Sequence, residues 1–331
     1  MQKAICTGLI ITGFLVSCAS NKPLTIGSLE KLDEDFSKVI SGSPAIEIIG
    51  EGYEWSEGPV WVEAEKMLLF SDVPRNIVYK WTEANGVVPY LSPSGYTGSA
   101  ERGGETGSNG LAVGLDGKLY LAQHGDRRIA RMESGLSAGI PRFTTIAGTY
   151  DGKKFNSPND LFITSSGEIY FTDPPYGLEK QMNDPAKEIP FQGVYRVNND
   201  GQVKLLVDSL TRPNGIIVTA DGQHVIVANS DSDKAIWYRY SIQGDSLGNP
   251  GIFYDATEAA KNDSGLPDGL KSDKNGTIYA SGPGGVWIFN KDGKVLGKIR
   301  VPAPVSNCAL SDDEKTLFMT ADNYLLRVKL K

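Results

Sequence analysis

The sequence repeats one short phrase six times: EGPVW at 57–61, NGLAV at 109–113, NDLFI at 159–163, NGIIV at 214–218, DGLKS at 268–272 and NCALS at 307–311. Each copy opens on an oxygen-bearing side chain, and these anchors (Glu57, Asn109, Asn159, Asn214, Asp268 and Asn307) lie 52, 50, 55, 54 and 39 residues apart. A period of this length marks a solenoid or a radial array. A polar atom at one fixed point of every unit points to a shared polar site.

Outward from each anchor the units continue alike. About four apolar-rich residues lead to a tight turn, among them Asp116-Gly117, Ser166-Gly167, Asp221-Gly222 and Asn275-Gly276. Asn, Asp and Gly tolerate positive φ, so these pairs suit hairpins. Second strands follow at 68–72, 119–123, 169–173, 225–229, 278–282 and 317–321. Third strands follow at 77–81, 129–132, 193–197, 235–240, 285–289 and 325–330, and a fourth is visible in most units, as at 203–207 and 294–299. Four antiparallel strands in six units predict an all-β, six-bladed β-propeller over residues 45–331, at about 48 residues per blade. The last unit lacks a fourth strand, and the apolar stretch 45–49 can supply it, closing the ring and removing its open edges. A β-sandwich is the competing architecture, and six superposable units argue against it.

The composition agrees with such a body. Of 331 residues, 40% are hydrophobic and 22% charged, and 38 glycines and 18 prolines supply the bends that many short strands need. A net charge of −7 argues against a nucleic-acid partner. Lys3, the apolar run 4–16 and the stretch Leu15-Val16-Ser17-Cys18 have the parts of a bacterial lipoprotein signal. The expectation is removal of residues 1–17, lipidation of Cys18, a tether over 18–44 and a protein held at the cell envelope by that lipid alone, on the periplasmic or surface side. Cys308 then remains as the one cysteine of the folded body, read as a small buried hydrophobe. The oligomeric state is not written in the sequence.

In a propeller the first strand of each blade lines the axis, so all six anchors lie on one face. The ends of the second strands return to that face and give a wider polar ring: Asp72, Gln123, Asp173, Asn229 and Ser281, with His124 beside Gln123. The inner ring is an all-oxygen cage of two carboxylates and four amides. Hard divalent cations prefer such ligands, which makes Ca²⁺ the leading cofactor, with Zn²⁺, Mg²⁺ and Mn²⁺ open. Without a cation, Glu57 and Asp268 would repel one another. Asn307 and Asn109 are candidates for holding the blade tops together, and Asn109 is also a candidate substrate contact.

The phrases Trp55-Ser56-Glu57-Gly58-Pro59-Val60-Trp61, Ser157-Pro158-Asn159-Asp160, Arg212-Pro213-Asn214-Gly215 and Leu266-Pro267-Asp268-Gly269 resemble the SMP-30/gluconolactonase family. That group includes gluconolactonases, regucalcin and related lactone and organophosphate hydrolases. The resemblance runs over about residues 46–331 and implies a six-bladed propeller with Glu57, Asn159, Asn214 and Asp268 as metal ligands. Animal members carry an arginine two residues before the Asn159 equivalent; Ser157 stands there in this chain, which separates the substrate question from the metal site. The stretch Gln123-His124-Gly125-Asp126-Arg127-Arg128 resembles bacterial members and implies His124 and Arg127 or Arg128 around a polar substrate.

The expected function is metal-dependent opening of a sugar lactone. The metal would polarise the carbonyl and an activated water would attack it. Asp268 is the candidate base, with Asp173 and His124 as alternatives. Hydrolysis of another lactone, an ester or an organophosphate, and a non-catalytic propeller that binds carbohydrate or protein, are the competing readings.

Overall fold

The computed structural model describes residues 23–331. Cys18 and the apolar run before it lie outside the described residues.

Six antiparallel blade sheets surround one axis, five of four strands and one of five. Blade 1 is built from Ser56–Val62, Met67–Asp72, Ile77–Thr82 and Gly86–Leu91. Blades 2 to 5 follow in chain order over residues 108–147, 161–207, 213–255 and 270–300. Blade 6 takes Val305–Leu310, Thr316–Ala321 and Tyr324–Lys329 from the C-terminal end. Its outer strand is Glu47–Glu51, paired antiparallel to Tyr324–Lys329. The N-terminal strand thus closes the ring, two residues later than the sequence pattern places it. The hairpin turns fall on the face opposite the anchors, with the turn glycine at positive φ where predicted, as at Gly167 (φ +90°).

The alternation of strand residues decides the packing. Side chains of neighbouring blades interdigitate, and the buried apolar residues form six clusters, one for each joint between blades. The joint between blades 6 and 1 stacks Trp61 on Phe318, with ring centroids 5.4 Å apart and planes within 10°. The joint between blades 2 and 3 packs Phe155, Phe171 and Tyr195 against one another. Cys308 is buried at the joint of blades 5 and 6, and burial lifts its thiol to about 12. That agrees with a packed hydrophobe and leaves no thiolate at neutral pH.

The first strands come closest of all. A Cβ placed on Gly58 would stand 2.0 Å from the carbonyl oxygen of Asn109 in the next blade, and one on Gly215 would stand 2.3 Å from that of Asp268. Gly110 and Gly269 are equally confined by blades 3 and 6. The glycine that follows an anchor is therefore the contact point between blades. Hydrogen bonds complete these joints. Ser71 Oγ donates to Asn109 O (2.9 Å), Gly110 N to Asn159 O (2.7 Å), Thr172 Oγ1 to Asn214 O (2.6 Å), Ser281 Oγ to Ser306 O (2.7 Å) and Ser306 Oγ to Ser56 O (2.6 Å). Ser230 Oγ donates to Pro267 O between blades 4 and 5.

One expectation needs correction. Residues 24–44 are not a tether. Ser28–Lys31 adds a fifth strand to blade 5, in register with 297–300. A short helical turn, Phe36–Val39, then drops Phe36 and Ile40 into the cluster between blades 5 and 6, where both are almost fully buried. Gly297 makes room for this, since a Cβ there would meet the Phe36 ring at 2.3 Å. An edge strand with open amides and an apolar seam beside it recruit the segment. Removing the Phe36 ring is expected to cost about 3–5 kcal/mol. Thermal unfolding of Phe36→Ala should show a clearly lowered midpoint; a wild-type midpoint would return this segment to the role of a tether.

Candidate active site

At the anchor face the channel opens into a cavity of about 690 Å³. Glu57, Asn109, Asn159, Asn214 and Asp268 all line it, and Asn307 does not. The blade geometry brings these five side chains together from blades 1 to 5.

Their hydrogen bonds are unequal. Glu57 Oε2 accepts from Gly58 N (2.7 Å) and from Asn307 Nδ2 (3.3 Å). Asn307 is fully committed, since its Oδ1 accepts from Cys308 N and Lys271 Nζ. Asn214 Nδ2 donates to Ser230 Oγ at 3.0 Å, which leaves its amide oxygen uncommitted. Asn109 Oδ1, Asn159 Oδ1 and Asp268 Oδ1 are buried without any hydrogen-bond partner. Asp268 keeps part of its surface open to the cavity, yet its Oδ1 is fully enclosed. The pattern is a set of acceptor oxygens with too few donors.

Asp160, the residue after Asn159, adds a further carboxylate that sequence reasoning missed. It is buried; Oδ1 accepts from its own neighbour Leu161 N, and Oδ2 has no partner. Burial, opposed by the Gly58 hydrogen bond and reinforced by the Asp160 charge, raises the Glu57 carboxyl to about 8. Burial and the charges of Glu57, Asp160 and Glu105 hold Asp268 well above the usual carboxylate range. Such a cluster resists ionisation when no cation is present.

The donor set fits a hard divalent cation. Acceptor oxygens without donors, two of them on carboxylates, are what Ca²⁺ binds, and a cation reverses the repulsion that raises both carboxyls. Among the described residues no group of three or more His, Cys, Asp and Glu side chains gathers for a metal. The reason is that amides supply half of the candidate set.

Other candidates are placed differently. Asp173 does not contact the cavity. Its carboxylate accepts from Asn156 N and Ser157 N, each at 2.8 Å, and burial lifts it to about 7. Asp72 does the same for Glu54 N and Trp55 N, and Asn229 for Arg212 N. The wider polar ring thus braces the loops that enter the anchors. Arg127 is also structural: its guanidinium donates to Phe155 O (2.6 Å) and Lys154 O, pinning blade 2 to the loop before blade 3. Arg128 is tied to Gln123 and Asp126. His124 is fully buried beneath Asn159 rather than open to the cavity. Arg102 pins the glycine-rich loop by donating to Gly125 O and Gly177 O, and Glu105 from that loop reaches the cavity wall.

Sequence reasoning also missed Tyr176 and Arg212. Both line the cavity, with the Arg212 guanidinium 5.8 Å from the Tyr176 ring centroid. Arg212 had a signal. It stands two residues before anchor Asn214, the offset at which Ser157 replaces the arginine of animal members before Asn159.

Residues 55–323 match the family described as the SMP-30/gluconolactonase/LRE-like region. The chain belongs to this family. It is 39% identical to a gluconolactonase from Zymomonas mobilis over 97% of this chain and 91% of that protein. A solved gluconolactonase from Xanthomonas campestris superposes with a TM-score of 0.80 at 28% identity, over 94% of this chain and 98% of the other. A calcium-binding regucalcin from Agrobacterium tumefaciens reaches a TM-score of 0.64 at 17% identity, over 86% of this chain and 94% of the other. At that identity it shows the shared SMP-30 propeller fold alone.

A pH test follows from the raised carboxyls. In the cation-free folded protein Glu57 and Asp268 keep protons that the unfolded chain has already released. The Glu57 contribution to stability is whole below the ordinary carboxylate range and is lost as pH rises through about 8, and Asp268 acts in the same direction. The melting temperature of EDTA-treated protein should fall from about pH 5 to about pH 8. Added Ca²⁺ should raise it, most strongly at the upper end, and Glu57→Gln should flatten the slope. A pH-independent response to Ca²⁺ would contradict this electrostatic account.

Proposed function

We propose that the protein is a divalent-metal-dependent hydrolase that opens a sugar lactone, as a gluconolactonase does. The observation that carries this reading is the meeting of four anchor side chains, Glu57, Asn159, Asn214 and Asp268, on one cavity with acceptor oxygens unsatisfied. The 39% identity to the Zymomonas mobilis gluconolactonase supports the same reaction class.

Glu57, Asn159, Asn214 and Asp268 would hold the cation, Ca²⁺ first among the candidates. When bound, the cation supplies Lewis-acid polarisation of the lactone carbonyl and eases deprotonation of the attacking water. Asp268 takes the proton of that water, being a carboxylate that lines the cavity and keeps part of its surface open to it. Hydroxide adds to the carbonyl carbon, the ring C–O bond breaks, and the ring oxygen takes the proton that Asp268 had accepted. Arg212 and Tyr176 offer donors to the sugar hydroxyls from one wall, and Trp55 offers an apolar face from another.

The charge of the cavity suits this direction of reaction. Glu57, Glu105, Asp231 and Asp268 line it against the single guanidinium of Arg212, so negative charge remains in excess after one divalent cation binds. A neutral lactone enters without penalty, whereas the hydroxy-acid product is an anion and is repelled. Product inhibition by the free sugar acid should therefore be weak; tight inhibition would oppose this reading.

Envelope anchoring is proposed as well, on the signal-like residues 3–18. Only residues 19–23 separate Cys18 from Leu24, whose carbonyl already accepts from Ile48 N. Lipid at Cys18 would hold the edge formed by blades 5 and 6 within about 20 Å of the bilayer. Loss of membrane association in Cys18→Ala checks this.

The central test is hydrolysis of glucono-δ-lactone by purified protein, followed by acid release with and without EDTA. Turnover should vanish with EDTA and return with Ca²⁺. Asp268→Asn should lose at least about a thousandfold in kcat, since it removes the proton acceptor and one of the two carboxylate charges that would hold the cation. Near-normal turnover by Asp268→Asn would sink the assignment. Metal-dependent turnover confined to aryl esters or phosphotriesters would move the substrate class, and none on any ester would favour a binding propeller.

A further inference from the structure

His124 takes no direct place at the cavity, yet it touches a side chain that does. Its ring is fully enclosed between blades 2 and 3. Nε2 lies 3.5 Å from Asn159 Nδ2. Nδ1 lies 3.1 Å from Glu105 Oε2, within ion-pair distance but off the line of a good hydrogen bond, and it has no other partner. Asn159 Oδ1, on the far side of the amide, is buried and unpartnered. The backbone leaves the ring little freedom, because Gly177 packs on the His124 side chain so tightly that a Cβ there would stand 2.6 Å from His124 Cβ.

We propose that Glu105 and His124 form a positioning relay that sets the amide of Asn159, so that Oδ1 and not Nδ2 faces the cation. The claim rests on the cation reading above and adds a reason for the glycine-rich loop. The argument is one of donors and acceptors. A carboxylate accepts only, so Glu105 demands a proton on Nδ1 of the neutral imidazole. Nε2 is then the acceptor, and only an N–H of Asn159 can face it. The amide is thereby fixed with its oxygen outward. The reverse orientation would need a proton on Nε2 and would set the Nδ1 lone pair against the Glu105 carboxylate. An amide presenting its NH₂ group to a cation is repelled by it, so the orientation decides whether Asn159 is a ligand at all. Partners behind a metal ligand act in this way generally, and their loss costs on the order of 10- to 100-fold in metal affinity.

Arg102 supports the relay from outside. It ties Gly125, next to His124, to Gly177 across the joint of blades 2 and 3 and so keeps Glu105 over the ring.

The test is calorimetric titration of Ca²⁺ into the EDTA-stripped protein. His124→Ala should weaken binding on the order of 10- to 100-fold. His124→Gln, whose amide oxygen reaches the position of Nε2 and accepts from Asn159, should bind close to wild type. Glu105→Gln, on a partly exposed loop where folding is not at stake, should fall between them. Asn159→Ala should lose as much as His124→Ala, and the double variant little more, because both act through one oxygen. Wild-type affinity in His124→Ala, failure of His124→Gln to restore binding, or additive losses in the double variant would overturn the relay. Glu57→Gln separates the two levels. If it weakens binding while His124→Ala does not, the relay alone fails; if the wild type binds no Ca²⁺, the cation reading fails and the relay with it.

Discussion

The closeness of the first strands governs this molecule. Where one blade meets the next, a carbonyl stands where a Cβ would be, 2.0 Å from the ideal position at Gly58 and 2.3 Å at Gly215. Only glycine permits that approach. The approach brings Ser71, Thr172, Ser230, Ser281 and Ser306 within reach of the neighbouring backbone, and their hydroxyls close the joints. It also dictates where the residue before the glycine must point. The anchors converge because the glycines let the strands converge, so ring closure and site assembly are one event.

A convergence of acids is costly, and the surrounding structure offsets the cost unevenly. Asp72 and Asp173 are buried but receive backbone N–H groups, so they stabilise the entry loops of blades 1 and 3. Glu57 receives one backbone N–H and the Asn307 amide. Asp268 receives nothing at Oδ1. Buried polar atoms are almost always satisfied, so the residues left short of donors mark the place where the fold expects a ligand. The gradient from satisfied to unsatisfied runs inward, from the ends of the second strands to the axis. Structure is held at the rim of that gradient and chemistry is available at its centre.

The blades were legible in the sequence because their signals repeat. Asn-Gly, Asp-Gly and alternating apolar residues recur in register, and second strands such as 119–123, 169–173 and 278–282 match to the residue. The anchors were legible for the same reason. What escaped was anything said once. Tyr176 reaches the cavity from a position that no repeat marks, Arg212 is signalled only by its offset from Asn214, and Asp160 hides behind Asn159 inside a copy of the phrase. Asp173 and Arg127 were misplaced because sequence gives the face of a sheet but not the direction in which a side chain turns. Both turn to backbone groups that only the folded loops bring near. The 24–44 segment looked like a tether because its two buried anchors, Phe36 and Ile40, are too few to show a period.

The two breaks in the glycine rule are as informative as the rule. At the third and sixth copies the residue after the anchor is Asp160 and Cys308, on blades that stand opposite one another in a ring of six. At both joints a hydroxyl spans the gap, Thr172 to Asn214 and Ser306 to Ser56. The two substitutions are not equivalent. Cys308 turns into the apolar cluster between blades 5 and 6, and its loss of glycine serves packing. Asp160 keeps an unpartnered carboxylate oxygen in the interior, and its charge raises both Glu57 and Asp268. A packing requirement cannot explain a buried acid with one oxygen left without a donor, since an apolar residue would fill the same space at lower cost. Asp160 is better understood as part of the electrostatic design of the site: it adds negative potential beneath the anchors, which would strengthen the hold on the proposed cation, while touching none of the cavity wall.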